Sequence, residues 1–127
     1  MNDKNRPESA RMALAEMFAP RSAAQLRHRK DDLLYRAGLV IEFGWDRFRH
    51  QWSTGEVLAT ALVLNDNAEI ARWAEPVDSA LSRWAFDLWG LVEGQADLDS
   101  GLPATRAWFG SVRAELPVNV SVNRHGK

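Results

Sequence analysis

Leu34, Ile41 and Phe48 recur every seven residues, and Gly38, Trp45 and Trp52 keep the same interval four places later. Seven residues are two turns of an α-helix, so both series fall on one stripe of a helix that the sequence predicts to run unbroken from Ser22 to Trp52. Ser22 and Gln25 open it with capping-box spacing, in which each side chain accepts a hydrogen bond from the other residue's backbone. Gly38 and Gly44 weaken the helix by about 1 kcal/mol each and allow close approach of a neighbour. A strand reading competes over residues 39–45, where Leu39, Ile41, Phe43 and Trp45 alternate with Val40, Glu42, Gly44 and Asp46. Val118, Val120 and Val122 would be its pairing partner. Helix is preferred because the stripe is much longer than the alternating run.

The rest of the chain keeps the helical period. Ala10, Ala13, Leu14, Met17 and Phe18 give one apolar face to a helix over 7–18, with Pro7 in its first turn and Pro20 ending it. Ser53-Thr54-Gly55-Glu56 is a second capping box, opening a helix with Val57, Leu58, Ala61 and Leu62 inward. Asn65-Asp66-Asn67 stops that helix and caps a short one over 68–74. Val77, Leu81, Trp84, Leu88 and Leu91 then form a stripe ending near Gly94. Residues 97–101 read as a loop, and Pro103 starts a last helix with Trp108, Val112 and Leu116 in register. Eighteen alanines and fourteen leucines agree with helix throughout. The expected fold is all-α: a single domain, 1–127, forming a compact bundle of five to six helices. A short strand near 39–45 or 118–122 is the competing element, and 117–127 is expected to be a flexible tail.

Composition narrows the function classes. Cysteine is absent, which removes disulfides, thiolate nucleophiles and cysteine metal sites. No secretory leader is read at the N-terminus and no apolar run is long enough to cross a membrane, so a cytoplasmic protein is expected. Thirteen arginines against three lysines suggest a bacterial source. Charge is unevenly placed. Residues 1–52 hold ten Lys/Arg against seven Asp/Glu, 53–99 two against nine, and 100–127 four against one. An acidic middle between mildly basic ends does not resemble a nucleic-acid footprint. It suits a basic partner, self-association or an ordinary solvated face.

Few residues suggest catalysis. Glu42, Asp46 and His50, spaced by four on the predicted helix, would line one side of it and are the weak candidates for a metal or proton-transfer site. A solvated face with helix-spaced ion pairs, Arg47 and Arg49 beside it, is the preferred explanation. Asp97-x-Asp-x-Gly is similar to the opening of a calcium loop, but Trp108 stands where that loop requires glutamate. No phosphate loop, dinucleotide fingerprint, nucleophile elbow or paired-histidine motif is present. Thr54 to Trp73 resembles a helix-turn-helix, with a capped helix, a short turn and a second helix ending Arg72-Trp73. The would-be recognition helix carries Glu69 and Glu75 against Arg72 alone, which phosphates repel. The basic run Arg27-His28-Arg29-Lys30 is followed at once by Asp31 and Asp32.

Six tryptophans carry the functional expectation. Trp45, Trp52, Trp84 and Trp108 fall on the apolar stripes and are expected in the core. Phe86 and Trp89 project away from the Trp84 stripe, and Leu39 and Phe43 lie nearly opposite Ile41 and Phe48. Two helices are therefore apolar on two sides, and Gly38 to Trp52 is the expected central one. The expected function is that of a small, soluble interaction or regulatory protein that self-associates through an exposed aromatic patch. Its interface residues would be Phe86, Trp89, Leu39 and Phe43, and its partner a second copy or another protein. The alternative is a small-molecule-binding protein or small enzyme with a tryptophan-lined pocket. The further alternative, a nucleic-acid-binding helical protein, is disfavoured by the charge pattern. No cofactor or metal is expected, and the balance is against an enzyme.

Overall fold

The computed structural model describes residues 20–117, and in it both capping boxes form. Ser22 Oγ accepts from the Gln25 amide at 3.2 Å while Gln25 Oε1 accepts from the Ser22 amide at 2.8 Å, starting α1 (Ala23–Phe43). Ser53 and Glu56 repeat the exchange at 3.2 and 2.9 Å and start α2 (Thr54–Leu64). Asn65, in the left-handed conformation (φ 57°), closes α2. Asp66 Oδ1 then accepts from the Glu69 amide at 3.1 Å to cap the short α3 (Asn67–Arg72). α4 (Val77–Asp99) follows Pro76, and α5 (Pro103–Ala114) begins on Pro103. The fold is an all-α bundle of five helices among the described residues.

α2 is the centre of the bundle. Every residue from Val57 to Val63 is buried, and α2 touches each of the other four helices. This corrects the expectation that Gly38–Trp52 is central. The signal was present in α2's own sequence, where Val-Leu-Ala-Thr-Ala-Leu-Val leaves no polar face; Thr60 satisfies its hydroxyl on the Glu56 carbonyl at 2.8 Å. Around α2 lie Leu33 and Ala37 of α1, Ile70 of α3, Leu81, Ala85 and Leu88 of α4, and Phe109 and Val112 of α5. Each large side chain sealed there contributes about 1.5–3 kcal/mol. The carboxyl end of α2 is held by Arg113 of α5, whose Nε and Nη2 donate to the Val63 and Leu62 carbonyls at 2.7 and 2.8 Å.

Two predicted boundaries move. Residues 39–43 are helical, not extended, but α1 stops at Gly44 and does not continue to Trp52. The stripe that ended near Gly94 bends at Gly90 (φ 85°, ψ 180°), and a second limb, 91–99, carries helix through residues first read as a loop. The predicted helix over 7–18, the strand over 118–122 and all but the first residue of the 117–127 tail lie outside the described residues. Among the described helices none is long and apolar enough to cross a membrane.

Candidate functional site

Gly44 decides what the α1 end can present. Its φ of 87° with ψ of 169° is open to glycine and strained for other residues. The chain then coils through 45–52 in irregular turns. The Phe48 and Arg49 amides donate to the Trp45 carbonyl at 2.9 and 2.8 Å, and the Gln51 and Trp52 amides to the Phe48 carbonyl at 3.0 Å each. Glu42 is therefore on α1 while Asp46 and His50 lie beyond the break, and the three do not share a helix face. This corrects the expectation that the three line one side of a helix. All three are exposed, and Asp46 accepts from Arg49 Nη1 at 2.6 Å. No group of three His, Asp or Glu side chains among the described residues is placed to hold a metal ion.

The inner side of this turn is an ion pair that the sequence reading passed over. Arg49 reaches Glu69 of α3 through Nε and Nη2, both at 2.8 Å, and Trp73 Nε1 donates to the same carboxylate at 3.1 Å. Glu69 is 3 % exposed. Burial pushes its carboxyl up, and the bonds from Arg49 and Trp73 more than offset that, so it sits below its ordinary range. The same pairing raises the Arg49 guanidinium. Trp45 Nε1 donates to Asp66 Oδ2 at 2.9 Å, so the cap of α3 also anchors the turn. Glu69, which the helix-turn-helix resemblance placed on a reading surface, faces inward, and α3 has only six residues.

The outer side is apolar and open. Tyr35, Leu39 and Phe43 stand at four-residue spacing on one face of α1, away from the buried Leu33, Ala37 and Val40. Tyr35 is 68 % exposed, Phe43 is 49 % exposed and Leu39 is half-buried. Phe43 meets the buried Phe48 edge-on at 6.5 Å, and Phe48 stacks on Trp52 at 4.8 Å. Two guanidiniums lie over this cluster: Arg47 over Phe43 at 4.8 Å and Arg36 over Trp52 at 4.9 Å. Tyr35 was not among the sequence candidates, although its spacing from Leu39 and Phe43 was the available signal.

Phe86 and Trp89 sit differently from Phe43. Both are half-buried on α4. Gly94 of the second limb comes so close to Phe86 that an added Cβ would meet its Cα at 2.9 Å. Trp89 Nε1 donates to Thr105 Oγ1 at 3.0 Å, and that hydroxyl donates to Asp97 Oδ2 at 2.6 Å. Asp97 also accepts from the Ala104 and Thr105 amides at 2.8 and 3.0 Å, so from the preceding helix its side chain caps the amino end of α5, whose N-cap residue Leu102 makes no side-chain bond. Its burial raises the carboxyl, and the Thr105 hydroxyl with the two amides outweighs that, leaving it below the usual value without a cation. Asp97 is thus a helical residue, and the loop expected over 97–101 shrinks to the turn at Ser100 and Gly101.

No family model, curated protein or solved structure matches this chain. A groove of about 390 Å³ runs between α1, the start of α2 and α4, walled by Trp84 and edged by Arg29, Asp32, Glu56 and Asp87. Most of its charges are matched. Arg36 bridges Asp32 and Glu56 at 2.8 and 3.0 Å, and Arg29 bonds Asp87 at 3.2 Å while lying 5.6 Å from the Trp84 ring centre. Asp87 Oδ2 is buried with no hydrogen-bond partner among the described residues. The basic run is also neutralised, since Arg27 and Lys30 pair with Glu115 at 2.9 and 3.2 Å. Of the four tryptophans expected in the core only Trp108 is buried; Trp45, Trp52 and Trp84 are half-buried. Each lies under an arginine or reaches a carboxylate, or, for Trp84, also stacks on Trp108 at 6.4 Å.

Proposed function

We propose that this protein is a non-enzymatic interaction module that self-associates through the outer face of α1, with Phe43, Leu39 and Tyr35 as anchors and Arg47 at the rim. The observation that carries this reading is the exposed Tyr35–Leu39–Phe43 stripe on a helix whose opposite face is already in the core. Aromatic and arginine side chains are those that dominate protein interfaces. A two-fold pairing uses the same stripe twice. A helix of 21 residues is about 31 Å long, enough to extend the contact beyond three side chains towards the ~800 Å² per partner of a stable interface. Phe86 and Trp89, the other two interface candidates, contribute less to this reading because they are tied to Gly94 and Thr105. Size-exclusion chromatography with light scattering on the full chain tests it. The native chain should run as a concentration-dependent dimer, and Phe43→Glu as a monomer with unchanged helical circular dichroism. A native chain monomeric at every concentration would sink the proposal.

A further inference from the structure

The bend at Gly90 turns one side of the second limb of α4 outward. Val92 is 76 % exposed and lies one helical turn from Ala96 on the same flank. Ala96, Glu93, Pro103 and the half-buried ring of Trp89 line a groove of about 360 Å³, with Pro20 at its edge. Pro20 is also where the described chain begins. The next residue is pinned at the bend: the Arg21 amide donates to the Leu88 carbonyl at 3.2 Å, its Nε to the Asp87 carbonyl at 3.2 Å, and its Nη2 to Asp87 Oδ1 at 2.8 Å. Those carbonyls are free to accept because Gly90 interrupts the helix beyond them. The chain thus reaches α4 beside this groove, and Met17 and Phe18 precede Pro20 by three residues and two, within about 11 Å of contour.

The sequence ahead of Pro20 has the complementary chemistry. Ala10, Ala13, Leu14, Met17 and Phe18 recur at helical spacing, with Arg11 at the border of that face, and Glu93 offers a carboxylate on the groove's rim. We propose that segment 7–18 docks on this groove of its own chain, setting Leu14, Met17 and Phe18 against Trp89, Val92 and Ala96. A tether this short gives the segment an effective concentration in the millimolar range, which favours it over the same segment of a second copy. The proposal concerns a face other than the outer side of α1 and does not depend on self-association there.

The absence of cysteine makes the test direct. Ala96→Cys reports the groove, and Ala59→Cys, at 0 % exposure in α2, reports opening of the whole domain. Each is introduced alone into the full chain, with and without Leu14→Ser and Phe18→Ser, and thiol alkylation rates are compared. Docking predicts that the ratio of the Ala96→Cys rate to the Ala59→Cys rate rises about tenfold when Leu14 and Phe18 are changed. A ratio that does not move overturns the proposal. So does protection of Ala96→Cys that disappears on dilution, because the cover would then be a second molecule.

Discussion

The bond from Trp89 to Thr105 to Asp97 joins the first limb of α4 to the start of α5 through one hydroxyl. Thr105 is fully buried, and its Oγ accepts from the indole while donating to the carboxylate. Replacing it with valine keeps the shape and leaves two buried polar groups without that partner, a loss of about 2–3 kcal/mol by the usual penalty for such groups. Trp89→Phe removes the donor with part of a half-buried ring but strands no donor, and should lose less, about 1 kcal/mol. Urea denaturation of the two variants checks the order, and equal losses would refute a relay through Thr105. Glu69 is a sharper case. Glu69→Ala leaves Arg49, whose side chain is 11 % exposed, charged and without its bidentate partner, and should lose about 3 kcal/mol. Arg49→Leu combined with Glu69→Leu removes both charges and should lose clearly less than Glu69→Ala alone. A double variant less stable than the single would show that the pair itself, rather than the avoidance of a stranded charge, stabilises the turn.

At the scale of elements, two glycines shape α4 for different reasons. Gly90 combines positive φ with fully extended ψ, a region other residues enter only at about 1–3 kcal/mol. Gly94 needs its missing side chain for a different reason, since a Cβ there would press on the Phe86 and Ala85 backbone at 2.9 and 3.0 Å. Both Gly90→Ala and Gly94→Ala should therefore destabilise, whereas Gly110→Ala, with nothing within 4 Å of the added carbon, should be neutral or gain from helix propensity. Thermal melts of the three variants decide it; a stabilised Gly90→Ala would mean the bend is not enforced by that residue. These glycines also explain what the sequence made legible. Ser22-Gln25, Ser53-Glu56, Asp66 and Pro103 announce helix starts by local chemistry, and all four starts are where they were expected. A glycine inside a periodic stripe announces only a weak point. Gly38 and Gly44 read alike and Gly90 stands unmarked inside its stripe, and only tertiary packing turns Gly44 and Gly90 into breaks while Gly38 stays helical. The common helix side expected for Glu42, Asp46 and His50 was lost at Gly44. The Arg49–Glu69 pair was invisible because its partners are 20 residues apart on different elements.

Across the whole molecule, two buried carboxylates bind their protons more weakly when folded, and this fixes how stability must vary with pH. Glu69 and Asp97 both lie below their ordinary values. The unfolded chain, with ordinary carboxyls titrating near pH ~4, takes up protons first as acid is added. Stability is therefore fully present above that range and falls as pH drops through the folded values, by about 1.4 kcal/mol per pH unit for each group while only the unfolded state is protonated. Glu115 is also lowered, by Arg27 and then Lys30, but it is exposed, and salt screens its share. Asp97 needs no cation, being held by the Thr105 hydroxyl and two amides, so its share should survive high salt. Urea midpoints from pH 7 down to pH 3 should stay level and then fall, and Asp97→Asn should lower the plateau and flatten the fall even in high salt. A slope for Asp97→Asn parallel to the native one would show that the α5 cap does not carry the acid sensitivity, leaving it to buried Glu69 and the surface ion pairs.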